Sequence, residues 1–216
     1  MRHNRLGPWP SVLVLFLLLA ASPGTAADAG EKSAPQRASR AKAVRVLVAY
    51  HSLYGNTKRL AQGVAEGIKR VPGAVAVVQS VDQVSKQDLE AADAIILGCP
   101  TYFGNIPGKM KVVIDDWNWK MKVDFTDKVG GAFSTGSGQV GGKEFVVVSL
   151  LMFLINNRMV VAGPLYQDAE GDDKWAEAGA SAMTGPLDPG VSEKELDGGR
   201  RLGERIARLA KKLRSD

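Results

Sequence analysis

The run Ala94-Ile95-Ile96-Leu97-Gly98 contains no polar side chain, so a strand built from it must be covered on both faces. Helices lying on both sides of a parallel sheet supply that cover, and parallel neighbours are joined through crossover segments that are usually helical. The rest of the chain shows the matching alternation. Val44–Tyr50 is a short β-branched run, followed by a glycine-containing turn and a helical period at Leu60, Val64 and Ile68 that stops at Val71-Pro72-Gly73. Strands are expected over residues 74–81, 94–98, 129–133 and 159–162, and helices over 85–92, 107–116 and 145–155. Ser85 is placed to cap the first of these helices. A last helix starts at Ser192, where Glu195 completes a capping box, and runs through Leu202, Ile206, Leu209 and Leu213. Residues 164–190 read as a long loop, a length that in a single domain points to function or assembly. The expected fold is α/β: a doubly wound, five-stranded parallel sheet in the order 2-1-3-4-5, as one domain over residues 44–216.

Residues 1–43 have a different character. Arg2 and Arg5 precede an unbroken apolar run at residues 12–21, and small residues follow before Asp28, which is the plan of a secretory signal over residues 1–27. The run is shorter than the ~20 residues a membrane-crossing helix needs, which favours cleavage near Ala27 over an uncleaved membrane anchor. Residues 28–43, without apolar period, read as a flexible linker. The expected location is therefore outside the cytoplasm, with membrane contact only through an uncleaved N-terminus. The formal charge of +5 resides largely in these first 43 residues, so the folded part is close to neutral and no nucleic-acid partner is expected. With two histidines, His3 and His51, and the single Cys99, neither an intramolecular disulfide nor a Cys/His zinc site can be assembled.

In such a sheet ligands bind beyond the carboxyl ends of the strands, where strand order reverses. Three loops there are unusual. His51-Ser52-Leu53-Tyr54-Gly55-Asn56-Thr57 brings hydroxyls, an amide and a glycine to the start of a helix, a setting for phosphate that is neither a dinucleotide fingerprint nor a P-loop. An ordinary capped helix is the plainer reading of that loop alone. Pro100-Thr101-Tyr102-Phe103-Gly104-Asn105-Ile106-Pro107 combines turn formers with aromatics suited to a flat ring. Ser134 to Gly142 is polar and glycine-rich, able to bring backbone close to a ligand.

Together these loops resemble the flavodoxin-like superfamily, and within it the WrbA-type NAD(P)H:quinone oxidoreductases, which bind FMN. The resemblance implies that Ser52, Leu53, Tyr54, Gly55, Asn56 and Thr57 hold the FMN phosphate. It implies that Pro100, Thr101, Tyr102, Phe103 and Gly104 border the isoalloxazine, and that Ser134, Thr135, Gly136 and Gly138 meet the ring and ribityl chain. It further implies NAD(P)H as co-substrate, a quinone or another small acceptor as partner, and a homo-oligomer. Departures are visible. Tyr102 stands where the family pattern has arginine, Asn156-Asn157 where a histidine pair lies near the flavin's pyrimidine side, and Ala178 where a distal tyrosine precedes Gly-Ala. An insertion found in many members is missing, which bears on the tetramer.

Other residues carry weaker signals. Cys99 reads as a small core thiol rather than a redox centre, and His51 as a strand-end residue or a flavin contact. Trp117 and Trp119 read as packing or as flavin stacking, and Asp115-Asp116 as a solvated helix end rather than a metal site. The function read from the whole is two-electron transfer from NAD(P)H to a quinone through FMN, with no side chain required as acid or base. A flavodoxin-like electron carrier is the alternative, and near-neutral charge favours the enzyme because carriers are usually strongly acidic. A flavin-free interaction domain is a third reading.

Overall fold

In the computed structural model, residues 43–167, 170–185 and 190–214 are described. The expected signal and the linker up to residue 42 lie outside the described residues. β1 (Val44–Tyr50) sends alternate side chains into two separate cores. Val44, Val46 and Val48 join the core beneath α1 (Asn56–Lys69) and α5 (Glu193–Arg214), while Leu47 and Ala49 face the other side. That second core is roofed by α2 (Lys86–Ala91), α3 (Gly108–Trp119) and α4 (Lys143–Asn156), through Leu89, Met110, Ile114, Trp117, Val146 and Leu150. Each such apolar side chain contributes roughly 1.5–3 kcal/mol by leaving water.

β1 pairs in parallel with β2 (Ala74–Ser80) on one side and β3 (Ala94–Pro100) on the other. β4 (Val129–Gly136) and β5 (Val160–Val161) complete the order β2-β1-β3-β4-β5. The sheet order is the one expected, and β3 is buried along Ala94–Cys99, as its lack of polar side chains required. The expected capping box at Ser192 forms, and the expected cap at Ser85 proves to be one too. Ser85 caps α2 in exchange with Asp88, and Ser192 and Glu195 exchange bonds at the start of α5. The second Glu195 oxygen accepts the Met183 N–H at 2.6 Å, tying α5 to the sheet.

The fifth strand position differs from expectation. β5 is only two residues long and pairs at the N-terminal end of β4, opposite Val129 and Gly130. Residues expected as loop contribute β8 (Ala180–Met183), which pairs in parallel with Phe133–Gly136 at the other end of β4. Between them lies a hairpin of β6 (Leu165–Gln167) and β7 (Lys174–Ala176), in which Tyr166 stacks on Trp175 at 5.8 Å and Arg201 of α5 lies 5.4 Å from the Tyr166 ring. The departure and return are tight: a β-carbon on Gly179 would lie 2.3 Å from the Ala132 carbonyl oxygen.

α1 and α5 meet backbone to backbone. A β-carbon on Gly67 would lie 1.9 Å from the Arg200 carbonyl oxygen, and one on Gly203 2.0 Å from that of Val64. Only glycine at both positions permits this approach.

Candidate cofactor site

The reversal of strand order between β1 and β3 opens a cleft of about 480 Å³ at the carboxyl ends of the strands. It is lined by Ser52, Leu53, Tyr54, Asn56 and Thr57 from the first loop, and by Pro100, Thr101 and Tyr102 from the second. Thr135, Gly136 and Ser137 from β4, with Thr184 and Gly185 after β8, close the other wall. No Lys, Arg, His, Asp or Glu is among them. An anion there is held by dipoles and hydroxyls.

The first loop is built for that. Gly55 starts α1 at φ +93°, no side chain caps the helix, and its first turn contains no acid. The first-turn N–H groups therefore point into the cleft end of the helix without an intrahelical acceptor. Ser52 Oγ accepts the Gly55 N–H at 3.1 Å, which fixes the loop and leaves its hydroxyl proton for a ligand. Thr57 and Thr135 are both buried, and their hydroxyls are bonded to each other.

Tyr102 and Asn105 exchange two backbone hydrogen bonds, of 3.0 and 3.1 Å, around Phe103 at φ +51° and Gly104 at φ +76°. Positive φ at both central residues gives the turn a type I′ form. Tyr102 lines the cleft and its hydroxyl, buried, finds no hydrogen-bond partner among the described residues. His51 lies behind it, edge-on at 6.4 Å. Burial, then the Lys109 charge, holds the His51 pKa below its usual value, against the opposing pull of Asp82.

Ten of the fifteen residues implied by the resemblance line the cleft. Gly55, Phe103, Gly104, Ser134 and Gly138 do not. Phe103 stands at the turn tip, 108% exposed; Ser134 is buried and donates to the Cys99 carbonyl at 3.0 Å. Gly104 presses against Gly142, and Gly138 accepts from the buried Lys143 Nζ at 2.6 Å. Ser137 lies within the Ser134–Gly142 loop without having been singled out, and Thr184 and Gly185 were not foreseen. Asn156 and Asn157 are not among the residues that line this chain's cleft: α4 starts beside it and carries them about 20 Å along the helix, at 1.5 Å per residue, where each amide donates to a carbonyl one turn back. Flavin stacking by the tryptophans is corrected. Trp117 is in the core against Phe125 and Phe153, and Trp119 is exposed at the end of α3 remote from the cleft. Asp115 and Asp116 pair with Lys111 and Lys120. Cys99 is fully buried and its thiol is pushed up to about 12 by desolvation, so it carries no reactive thiolate.

The donor set fits FMN: uncapped N–H groups and hydroxyls for a phosphate at one end, and a turn with an unpartnered Tyr102 hydroxyl at the other. The fold and this cleft define a flavodoxin-like protein. A family model for NADPH-dependent FMN reductase matches residues 79–171. An NAD(P)H dehydrogenase (quinone) of Geobacter sulfurreducens is 33% identical over 203 residues, covering 79% of this chain and 99% of the relative. The chain belongs to the WrbA-type family of flavodoxin-like oxidoreductases. A flavodoxin of Aquifex aeolicus is 35% identical over 163 residues, covering 76% of this chain and 85% of its own. The solved structure of a flavodoxin, WrbA-like protein from Agrobacterium tumefaciens superposes with a TM-score of 0.61 at 27% identity, covering 79% of this chain and 99% of that one.

Proposed function

We propose that this chain is an FMN-dependent oxidoreductase that takes electrons from NAD(P)H and delivers them to quinone-type acceptors. FMN supplies the redox chemistry when bound. The observation that carries the reading is the cleft at the strand-order reversal, lined by dipoles and hydroxyls and free of formal charge. The α1 N-terminus and the Ser52 and Thr57 hydroxyls hold the phosphate. The Tyr102–Asn105 turn and the Thr135–Ser137 strand end fix the ring between two stretches of backbone, whose N–H groups stabilise added negative charge. No side chain in the lining titrates near neutrality, so none is assigned as proton donor or acceptor. The test is anaerobic stopped-flow mixing of FMN-loaded protein with NADH and with NADPH, followed by benzoquinone. Bleaching of the flavin and its recovery support the enzyme; no bleaching with either nucleotide leaves an electron carrier.

We also propose that residues 1–27 direct export and are removed near Ala27, on the strength of the basic, apolar and small-residue order in that segment. N-terminal sequencing of the protein recovered from its producing cells decides it: a start near Asp28 supports cleavage, and an intact Met1 in the membrane fraction overturns it.

A further inference from the structure

Lys143 opens α4 with its side chain turned inward. It is 4% exposed, and its Nζ donates to the Gly138 carbonyl at 2.6 Å and to the Gln139 carbonyl at 3.4 Å. Both acceptors are neutral. Glu195 of α5 faces this ammonium through space, but its oxygens accept from Ser192 and from the Met183 N–H. Lysine is rarely buried without a bonded carboxylate, because the charge gives up its hydration. An uncharged amide could hold the same carbonyls at less cost.

The stem of Lys143 packs where the second and third loops meet, the two stretches of backbone assigned to the ring. A β-carbon on Gly136, which lines the cleft, would lie 3.2 Å from Lys143 Cγ and against the Thr101 methyl. Gly142, immediately before Lys143, presses on Gly104 in the Tyr102–Asn105 turn. The α4 N-terminus adds its partial positive charge here, since no side chain caps it. Glu144, in the same first turn, opposes it but is exposed and screened by solvent.

We propose that Lys143 is a positioning residue whose buried charge makes the cleft bind reduced FMN more tightly than oxidised FMN. The proposal rests on the FMN reading. A hydride taken from NAD(P)H brings two electrons and one proton to the ring and leaves NAD(P)+, so the ring gains one negative charge. The lining of the cleft offers hydroxyls and backbone N–H groups but no formal charge to meet it. The Lys143 ammonium meets it from behind Gly136, without touching the ligand. Burial keeps that attraction strong, where an exposed lysine would be screened. The two carbonyl bonds hold the ammonium in place before the charge arrives, so little has to reorganise when it does.

Spectroelectrochemical titration of the FMN-loaded full chain, with fluorescence titration of oxidised FMN, gives the affinity for both cofactor states. Far-UV circular dichroism confirms that each variant is folded. Lys143→Met removes the charge and both hydrogen bonds, whereas Lys143→Gln removes the charge and keeps an N–H donor. In both, affinity for reduced FMN is expected to fall at least tenfold more than affinity for oxidised FMN, which lowers the two-electron potential by about 30 mV. Lys143→Arg keeps the wild-type difference between the two states. So does Lys194→Met, which removes an exposed charge from α5. Equal losses for the two states in Lys143→Met and Lys143→Gln make Lys143 a loop anchor only and overturn the proposal. A wild-type potential in Lys143→Gln also overturns it, as does an equal fall in Lys194→Met. A wild-type chain that binds no FMN overturns the cofactor reading, and this proposal with it.

Discussion

The hydroxyls of Thr57 and Thr135 lie 2.8 Å apart, joining the first turn of α1 to the end of β4 across 78 residues of sequence. One of them donates to the other, so a single hydroxyl proton remains for whatever occupies the cleft. Thr57→Val leaves the buried Thr135 oxygen without its partner and is expected to cost about 1–3 kcal/mol of stability, while Thr57→Val with Thr135→Val costs less than the sum. It should also weaken FMN binding about tenfold or more and riboflavin binding much less, because a bond to phosphate is charge-assisted. Fluorescence titration with both flavins and urea unfolding of Thr57→Val, Thr135→Val and the double variant check this. Equal losses for the two flavins would mean that the first loop does not hold phosphate.

Two glycines of the third loop should respond differently to alanine. At Gly142, φ is +88° and a β-carbon would lie 2.7 Å from the Gly104 Cα, so Gly142→Ala pushes the Tyr102–Asn105 turn away from α4. Gly138, at φ +75°, has nothing within 4 Å of its β-carbon position. Gly138→Ala is expected to cost only the backbone strain, about 1–2 kcal/mol, and to leave FMN affinity within threefold. Gly142→Ala should lower that affinity at least tenfold. Isothermal titration with FMN distinguishes them.

Phe103 is both left-handed and wholly exposed, two penalties at one position. Phe103→Gly relieves the first and is expected to stabilise the protein by about 1 kcal/mol, measured by thermal unfolding. If the side chain guides acceptors to the cleft mouth, the same variant raises KM for benzoquinone several-fold and leaves FMN affinity unchanged. An unchanged KM removes Phe103 from acceptor binding.

His51 binds its proton less readily in the folded chain than at its usual pKa of 6.5, first because of burial and then because of Lys109, with Asp82 opposing. Below pH 6.5 the unfolded chain takes up a proton that the folded chain resists, so stability falls as pH drops through this range and is restored as it rises. Replacing the group by His51→Gln should flatten the melting temperature between pH 5 and 7, about the window where histidine titrates. A slope that persists in the variant assigns the effect to other groups.

Much of this architecture is legible because its determinants are local or strongly apolar. The ends of β1 and the caps at Ser85 and Ser192 follow from neighbouring residues, and the burial of β3 follows from its composition. β8 is different. Ala180-Ser181-Ala182-Met183 contains no β-branched residue, and its pairing with β4 depends on a partner more than 40 positions away. Thr184 and Gly185 reach the cleft only because β8 does, so they escaped notice with it. Trp117 and Trp119 show the other limit: two positions apart on α3, they face nearly opposite ways, and only the helix phase tells core from solvent. Asn156 and Asn157 sit at the far end of α4, and only the length of that helix shows that they do not line the cleft of their own chain.

The glycine contact between α1 and α5 bears on how the protein is made. One face of the sheet is roofed by the first and last helices of the domain, so its core stays open until Leu202, Ile206 and Ala210 have been synthesised. On the ribosome no earlier segment can substitute, because the approach at Gly67 and Gly203 admits only a helix with a glycine at the crossing. This face of the nascent domain thus stays open and accessible to chaperones until α5 has been made, so the domain is completed as one unit rather than segment by segment.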